Sequence, residues 1–157
     1  MAVARSVQRL PLPPGKSAEW VAAEYMRWLP RLRVLRVDVT PARVCRFYLA
    51  PLSTPLLELT FAEERSTPDR QLFYVSGGLL ARLGDRSRLE FRETGDRQSV
   101  LAAVHDFSPR LPWLLYTRTQ AVAHVEVMSA FGEHLARLAS AAIGVRQSAA
   151  AQFWTSR

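Results

Sequence analysis

The sequence has a single cysteine, Cys45, among its 157 residues, so the chain cannot form an internal disulfide. Cys45 lies within an apolar alternation, which is typical of a thiol packed in the core and not of a catalytic nucleophile. Metal-binding motifs are also missing, because there is no H-E-x-x-H and no pair of cysteines. Two of the histidines, His124 and His134, are ten positions apart in one predicted helix, where their angular separation prevents them from sharing a metal ion. We therefore predict neither a metal nor another cofactor.

Long apolar runs are absent as well. No run approaches the roughly 18 apolar residues that a helix needs to span a bilayer, and residues 1–16 lack the continuous apolar segment of a signal peptide. Hydrophobic residues make up 48% of the chain and charged residues 22%, a balance that is typical of globular proteins and excludes a disordered chain. A chain of this length forms one domain. We expect a cytoplasmic, single-domain protein without a membrane span.

Lysine is nearly absent, since Lys16 stands alone beside twenty arginines. The net charge of +7 and the isoelectric point of 10.7 favour an anionic partner. However, the arginines are spread along the chain and mostly alternate with apolar residues, whereas phosphate-binding patches mix both basic residue types and cluster them. A bias toward arginine codons explains this composition at least as well, so we predict no nucleic-acid partner.

Most of the chain up to residue 107 shows the periodicity of β-strands. A short strand at 3–10 precedes the proline-rich LPLPPG, and a helix with Ser17 as its N-cap follows until Pro30 interrupts the apolar spacing. Apolar and polar residues then alternate in six segments: 32–40, 43–50, 56–64, 70–83, 88–94 and 98–107. Gly77-Gly78 indicates a bulge or a close approach of another backbone. The connections are too short for parallel crossovers, so these segments predict an antiparallel meander.

After Pro109 the apolar period changes from 2 to 3.6 residues. Apolar residues form a wide helical stripe from about Pro112 to Ile143, and Gly144 is a suitable helix stop. We predict one long helix, a domain over 1–143, and a tail over 144–157 that frays or contacts another chain. The fold class is then α+β, with about six or seven strands in one sheet that packs against the long helix.

Two stretches carry a resemblance to a known family. PLPPGKSAEWVAAEYMRWLPRL near the start and LPWLLYTRTQAVAHVEVMSAFGEHLARL near the end flank the predicted strands, and this order resembles the START/Bet v1-like superfamily, also called the polyketide cyclase or helix-grip fold. The resemblance implies a strongly curved antiparallel sheet that grips the long helix, with a cavity between them. Proteins of this superfamily hold lipids, polyketides, hormones or other apolar molecules there, and their functions range from passive carriage to catalysis.

The function that we predict first is binding of a hydrophobic or amphipathic small molecule between the sheet and the long helix. Arg110 or Arg118 at the cavity mouth could recognise a carboxylate or phosphate head group. The predicted lining residues are Val37, Phe47, Leu59, Phe61, Phe73, Phe91, Tyr116, Val125 and Met128.

A second hypothesis is an enzyme of cyclase or hydrolase type, in which His105 or Asp106 acts as general acid or base in a dry pocket. Neighbouring residues of a strand point to opposite faces, so at most one of the two faces the cavity. A two-residue loop at Gly95-Asp96 turns Val104 and Asp106 inward, and a three-residue loop or a bulge turns His105 inward.

Two further interpretations involve no catalysis. His105 or Asp106 pairs with Arg110 or caps the long helix, which we favour over a catalytic role. A third hypothesis for the whole chain is an interaction module without a cavity, which forms a homodimer through the tail or an exposed apolar patch.

Overall fold

The fold is a curled antiparallel sheet combined with one short and one long helix, which confirms the predicted α+β class. The computed structural model describes residues 4–33, 35–81, 87–107 and 113–155, and for residues 4, 5, 107, 113–124 and 150–155 it describes the backbone alone. The strands are β1 (Ala4–Pro11), β2 (Arg36–Val39), β3 (Val44–Tyr48), β4 (Leu57–Phe61), β5 (Arg70–Gly77), β6 (Arg88–Glu93) and β7 (Ser99–Phe107). The helices are α1 (Ala18–Trp28) and α2 (Trp113–Thr155).

The seven strands form one sheet in the order β1-β7-β6-β5-β4-β3-β2, and all neighbours are antiparallel. Strands β2 to β7 follow one another as a meander, as the short connections predict. The first strand does not join β2, but pairs with the last strand at the far edge of the sheet. This order leaves β1 and β2 as the two edge strands.

Helix α1 is fixed at both ends by its own sequence and by the sheet. The Oγ of Ser17 accepts a hydrogen bond from the backbone N–H of Trp20 at 3.3 Å, which confirms Ser17 as the N-cap. The carboxylate of Glu93, on β6, accepts a second one from the N–H of Ala18 at 2.9 Å. At the other end, Pro30 cannot continue the helix, and the chain passes into a 3₁₀ turn over Leu29–Arg31.

A cluster of aromatic rings fills the space where α1 and α2 pack on the sheet. The Tyr25 ring lies 5.1 Å from that of Phe131, 5.2 Å from that of Phe91 and 6.1 Å from that of Phe73, all in edge-to-face arrangements. All four side chains are buried to at least 98%. This cluster therefore joins both helices to the central strand β5 and its neighbour β6.

Helix α2 is longer than its sequence predicts. It does not end at Gly144, but continues through the expected tail to Thr155. Glycine costs about 1 kcal/mol relative to alanine inside a helix, and the flanking residues 141–151 include five alanines, the strongest helix formers. Good propensity on both sides thus carries the helix through a position that would otherwise stop it. Among the described helices, none has the length and apolarity that crossing a membrane requires.

Candidate ligand-binding site

The inner face of the sheet is a continuous apolar surface. Five of the predicted lining residues lie on it and are buried: Val37, Phe47, Leu59, Phe73 and Phe91. Met128 of α2 is also fully buried in the same core. The alternation of each strand selects these residues, because every second side chain of a pleated strand points to the same face.

The inner face is closed at one end and less covered at the other. Below α1 and α2 the aromatic cluster occupies the interior. Toward the connections β3–β4 and β5–β6, Leu57, Val75 and Val104 pack against the core but are only partly buried. The apolar inner face therefore reaches solvent near these two connections.

Three exposed leucines belong to those connections. Leu49 and Leu52 follow β3 and are each 45% exposed, and Leu79 follows β5 and is 43% exposed. Hydrogen bonds from the N–H groups of residues 79 and 80 to the carbonyls of residues 55 and 56, each 3.0 Å long, hold the two connections together. Large exposed apolar residues grouped at one edge of a domain are typical of a binding site. We call these three residues the leucine rim.

Phe61 is partly buried too, but it lies at the opposite end of its strand. The guanidinium carbon of Arg43 lies 5.2 Å from the centre of the Phe61 ring, and the centre of the Phe73 ring lies 5.3 Å from it. Phe61 is therefore covered by a cation and by the core, and it contributes less free apolar surface than the residues near the leucine rim.

Strand β7 decides the direction of His105 and Asp106. The N–H of Thr94 donates a hydrogen bond to the carbonyl of Ser99, so four residues form the turn between β6 and β7. A turn with an even number of residues keeps Val104 opposite Leu89, on the inner face. His105 pairs with Arg88 and lies on the outer face, where its Nε2 is 3.4 Å from a carboxylate oxygen of Glu90.

A β-bulge changes the direction of the next residue. Between the pairs Ala4–Phe107 and Ser6–Val104, two residues of β7 oppose one of β1, and Asp106 has a φ of 53°. Its carboxylate contacts Arg88 at 3.5 Å. The enzyme hypothesis required an inward His105 or Asp106, and both side chains instead contact outer-face residues. A bulge was expected to turn His105 inward, but it lies after His105 and acts on Asp106.

The remaining predicted residues divide into two groups. Val125 is 47% exposed and lines a groove between β1 and α2 together with Leu10 and Met128. Arg110 lies outside the described residues, as do the side chains of Tyr116 and Arg118 on α2.

Buried polar groups in the interior are kept neutral or paired. Burial raises the pKa of the Cys45 thiol to about 12 and raises that of the Tyr25 hydroxyl further above its ordinary value. Between the helices, His134 Nε2 lies 2.8 Å from Glu24 Oε1, and its ring stacks on Trp28. Among the described residues, no three acidic, cysteine or histidine side chains are placed to hold a metal ion. The arrangement is therefore that of an apolar binding surface.

Sequence reasoning missed the leucine rim, because exposed and buried leucines look alike in an apolar pattern. The proline-rich stretch LAPLSTPL was the available signal, since prolines remove residues 49–56 from regular pairing while leaving three leucines there.

Comparison with solved structures shows the same architecture in other proteins. An uncharacterized protein from Bacillus thuringiensis aligns with a TM-score of 0.53 at 12% identity, covering 84% of this chain and 98% of its own. Ara h 8.0201, a Bet v 1 allergen, aligns with a TM-score of 0.54 at 11% identity, covering 87% of this chain and 98% of its own. No protein-family model matches the sequence. No curated protein matches it either. Similarity at this low identity shows the fold alone.

Proposed function

We propose that this chain, which has the Bet v1-like fold, binds a hydrophobic or amphipathic small molecule on the inner face of its sheet at the leucine rim. The observation that carries the proposal is the gradient of burial along that face. Phe73 and Phe91 are completely covered, whereas Leu57, Val75 and Val104 near the rim are only partly covered. An apolar ligand would remove this remaining surface from water.

The size of the ligand follows from the free energy it needs. Burial of apolar surface contributes about 25 cal/mol per Å², so each 100 Å² contributes about 2.5 kcal/mol. A micromolar complex requires about 8 kcal/mol, and the losses on association add to this. The ligand must therefore bury at least about 300 Å² of apolar surface, which is a lipid-like chain or a polycyclic body and not a small fragment.

Arg110 and Arg118 complete the proposal as partners of an acidic head group. In the sequence, Arg110 falls between the end of β7 at Phe107 and the start of α2 at Trp113, and Arg118 belongs to the first two turns of α2. A carboxylate or phosphate accepts two parallel hydrogen bonds from a guanidinium. Replacing either arginine by glutamine should lower the affinity for an acidic ligand and leave the affinity for a neutral ligand unchanged.

Binding of the neutral fluorescent dye Nile red tests the apolar site. Val75→Trp should fill the half-covered surface and weaken dye binding by about tenfold or more. Val7→Trp is the matched control, because Val7 is 62% exposed on the outer face of β1 and its replacement should leave binding unchanged.

Circular dichroism and the melting temperature establish that both variants fold. Native mass spectrometry of the wild-type protein, purified without detergent, supplies a measurement that needs no variant. Absence of any copurified ligand together with absence of dye binding would contradict the proposal, as would equal weakening by the two tryptophan substitutions.

A further inference from the structure

The outer face of the sheet carries a basic depression that is separate from the inner face. Arg65, Arg70, Leu72, Tyr74 and Arg88 line an open space of about 660 Å³. Three of these residues alternate along β5, and Tyr74 pairs with Arg88 on β6. The remaining one, Arg65, comes from the 3₁₀ turn Glu63–Arg65. Guanidinium groups from three different segments therefore meet at one place.

A buried carboxylate holds one of these guanidinium groups. Glu90 lies on the outer face, where side chains normally meet solvent, yet it is only 6% exposed. Its Oε1 accepts a hydrogen bond from Arg70 Nε at 2.8 Å. Its Oε2 lies 3.4 Å from Nε2 of His105. Burial raises the pKa of Glu90, but the hydrogen bond and the charge of Arg70 outweigh burial and hold it below its ordinary value. Glu90 is therefore ionised at neutral pH, and its hydrogen bond fixes the direction of Arg70.

The three guanidinium groups keep unused donors. Each has five N–H groups. Glu90 occupies Nε of Arg70 and lies 3.5 Å from its Nη2, and Asp106 lies 3.5 Å from Nη1 of Arg88. The side chain of Arg65 forms no ion pair with a residue that the structure describes. With Asp69 beside Arg70 and Arg92 opposite it, four guanidinium groups face three carboxylates, and the excess charge is positive before His105 is counted.

We infer that this depression binds a small organic phosphate monoester. Phosphate oxygens match the fork geometry of guanidinium groups, and the group carries enough charge to balance the excess. The partly exposed Tyr74 ring offers an apolar contact to the organic part. The volume lies within the range of small-molecule sites and exceeds what a bare phosphate ion fills. A concave space between three segments favours a compact ligand over the repeated phosphates of a nucleic acid.

Isothermal titration with phenyl phosphate, inorganic phosphate and phenol tests this inference on the full chain. Phenyl phosphate should bind, inorganic phosphate should bind more weakly, and phenol should not bind. Arg65→Gln should weaken phenyl phosphate binding by about tenfold or more, the contribution of a charged hydrogen bond. Because Arg65 has no described ion pair, this variant keeps the contacts of the fold.

The matched control is Arg137→Gln, which removes the same charge from an exposed position of α2. It should change phenyl phosphate binding by less than twofold. Equal weakening by both substitutions would overturn the inference, because bulk charge would then explain binding. An affinity for inorganic phosphate equal to that for phenyl phosphate would also overturn the inference. A single-stranded oligonucleotide that binds more tightly than phenyl phosphate and displaces it would overturn it as well. Nile red binding is measured on the same variants and should stay unchanged. A failure of the phosphate site can therefore be distinguished from a failure of the apolar site on the inner face.

Discussion

Two neighbouring glycines, the last residue of β5 and the residue after it, allow a sharp test of how the leucine rim is built. Gly78 has a φ of 109°, and a Cβ at this position would overlap the backbone of Leu56 and Leu57. A Cβ on Gly77 would meet the side chain of Glu58 at 3.5 Å, which is ordinary van der Waals contact. The two positions therefore differ in the space and the backbone conformation available to an alanine.

The Gly78→Ala substitution should destabilise the protein strongly. A side chain in this region of φ costs about 1–3 kcal/mol, and the backbone shift that relieves the overlap costs about 1–3 kcal/mol more. The sum of about 2–6 kcal/mol corresponds to a fall in melting temperature of roughly 5–20 °C for a chain of this size. Gly77→Ala should change the free energy of unfolding by less than about 1 kcal/mol.

Urea denaturation followed by tryptophan fluorescence measures both variants against the wild type. A loss below about 0.5 kcal/mol in Gly78→Ala, or an equal loss in both variants, would refute the close packing of residues 78 and 56. Nile red binding by Gly78→Ala should fall as well, because displacement of Leu56 moves the start of β4, where Leu57 lies.

Three more substitutions test the helices. Gly144→Ala should raise the free energy of unfolding by up to about 1 kcal/mol and increase the helical circular dichroism signal, because a Cβ there meets nothing within 4 Å; a loss of helicity would place the helix end at Gly144 after all. Phe131→Ala should cost about 3–5 kcal/mol in urea denaturation, since the ring is fully buried among other rings, and a cost under about 1 kcal/mol would contradict that packing. Glu24→Gln should destabilise the protein at pH 7. Burial raises the Glu24 pKa, but His134 and Arg27 outweigh burial and hold the pKa below its ordinary value of 4.5. The ionised Glu24 therefore contributes fully to the free energy of unfolding above pH 4.5, and this contribution is lost as the pH falls through the folded-state pKa. A difference between variant and wild type that does not shrink between pH 5 and pH 2 would argue against the Glu24–His134 contact.

Local periodicity predicted the elements of this fold well. All seven strands, the capped first helix and the long last helix lie where alternation and helical spacing indicate them. The reason is that burial of one face imposes a period of 2 on strands and 3.6 on helices, whichever neighbours they have. The resemblance to the Bet v1-like superfamily is confirmed by the fold. The homodimer and the cytoplasmic location stay predictions.

The inner lining was predictable only where alternation alone selects it. Phe47 and Phe91 follow directly from the pattern of their strands, and both are buried. The burial of Val125 cannot be predicted in this way, because the wide apolar stripe of a helix includes more positions than the sheet can bury. The direction of α2 relative to β1 decides which of them face solvent.

The sequence by itself determined which segments become strands and helices and which side chains share a face, because these follow from contacts between near neighbours in the chain. Only the tertiary structure decided what those faces meet. The pairing of β1 with β7 creates the bulge that turns Asp106 toward Arg88, and it involves residues about a hundred positions apart. Likewise, the convergence of Arg65, Arg70 and Arg88 depends on how β5, β6 and a 3₁₀ turn pack. Positions that distant in sequence carry no local signal of one another, since their contact energy exists only once the sheet has formed.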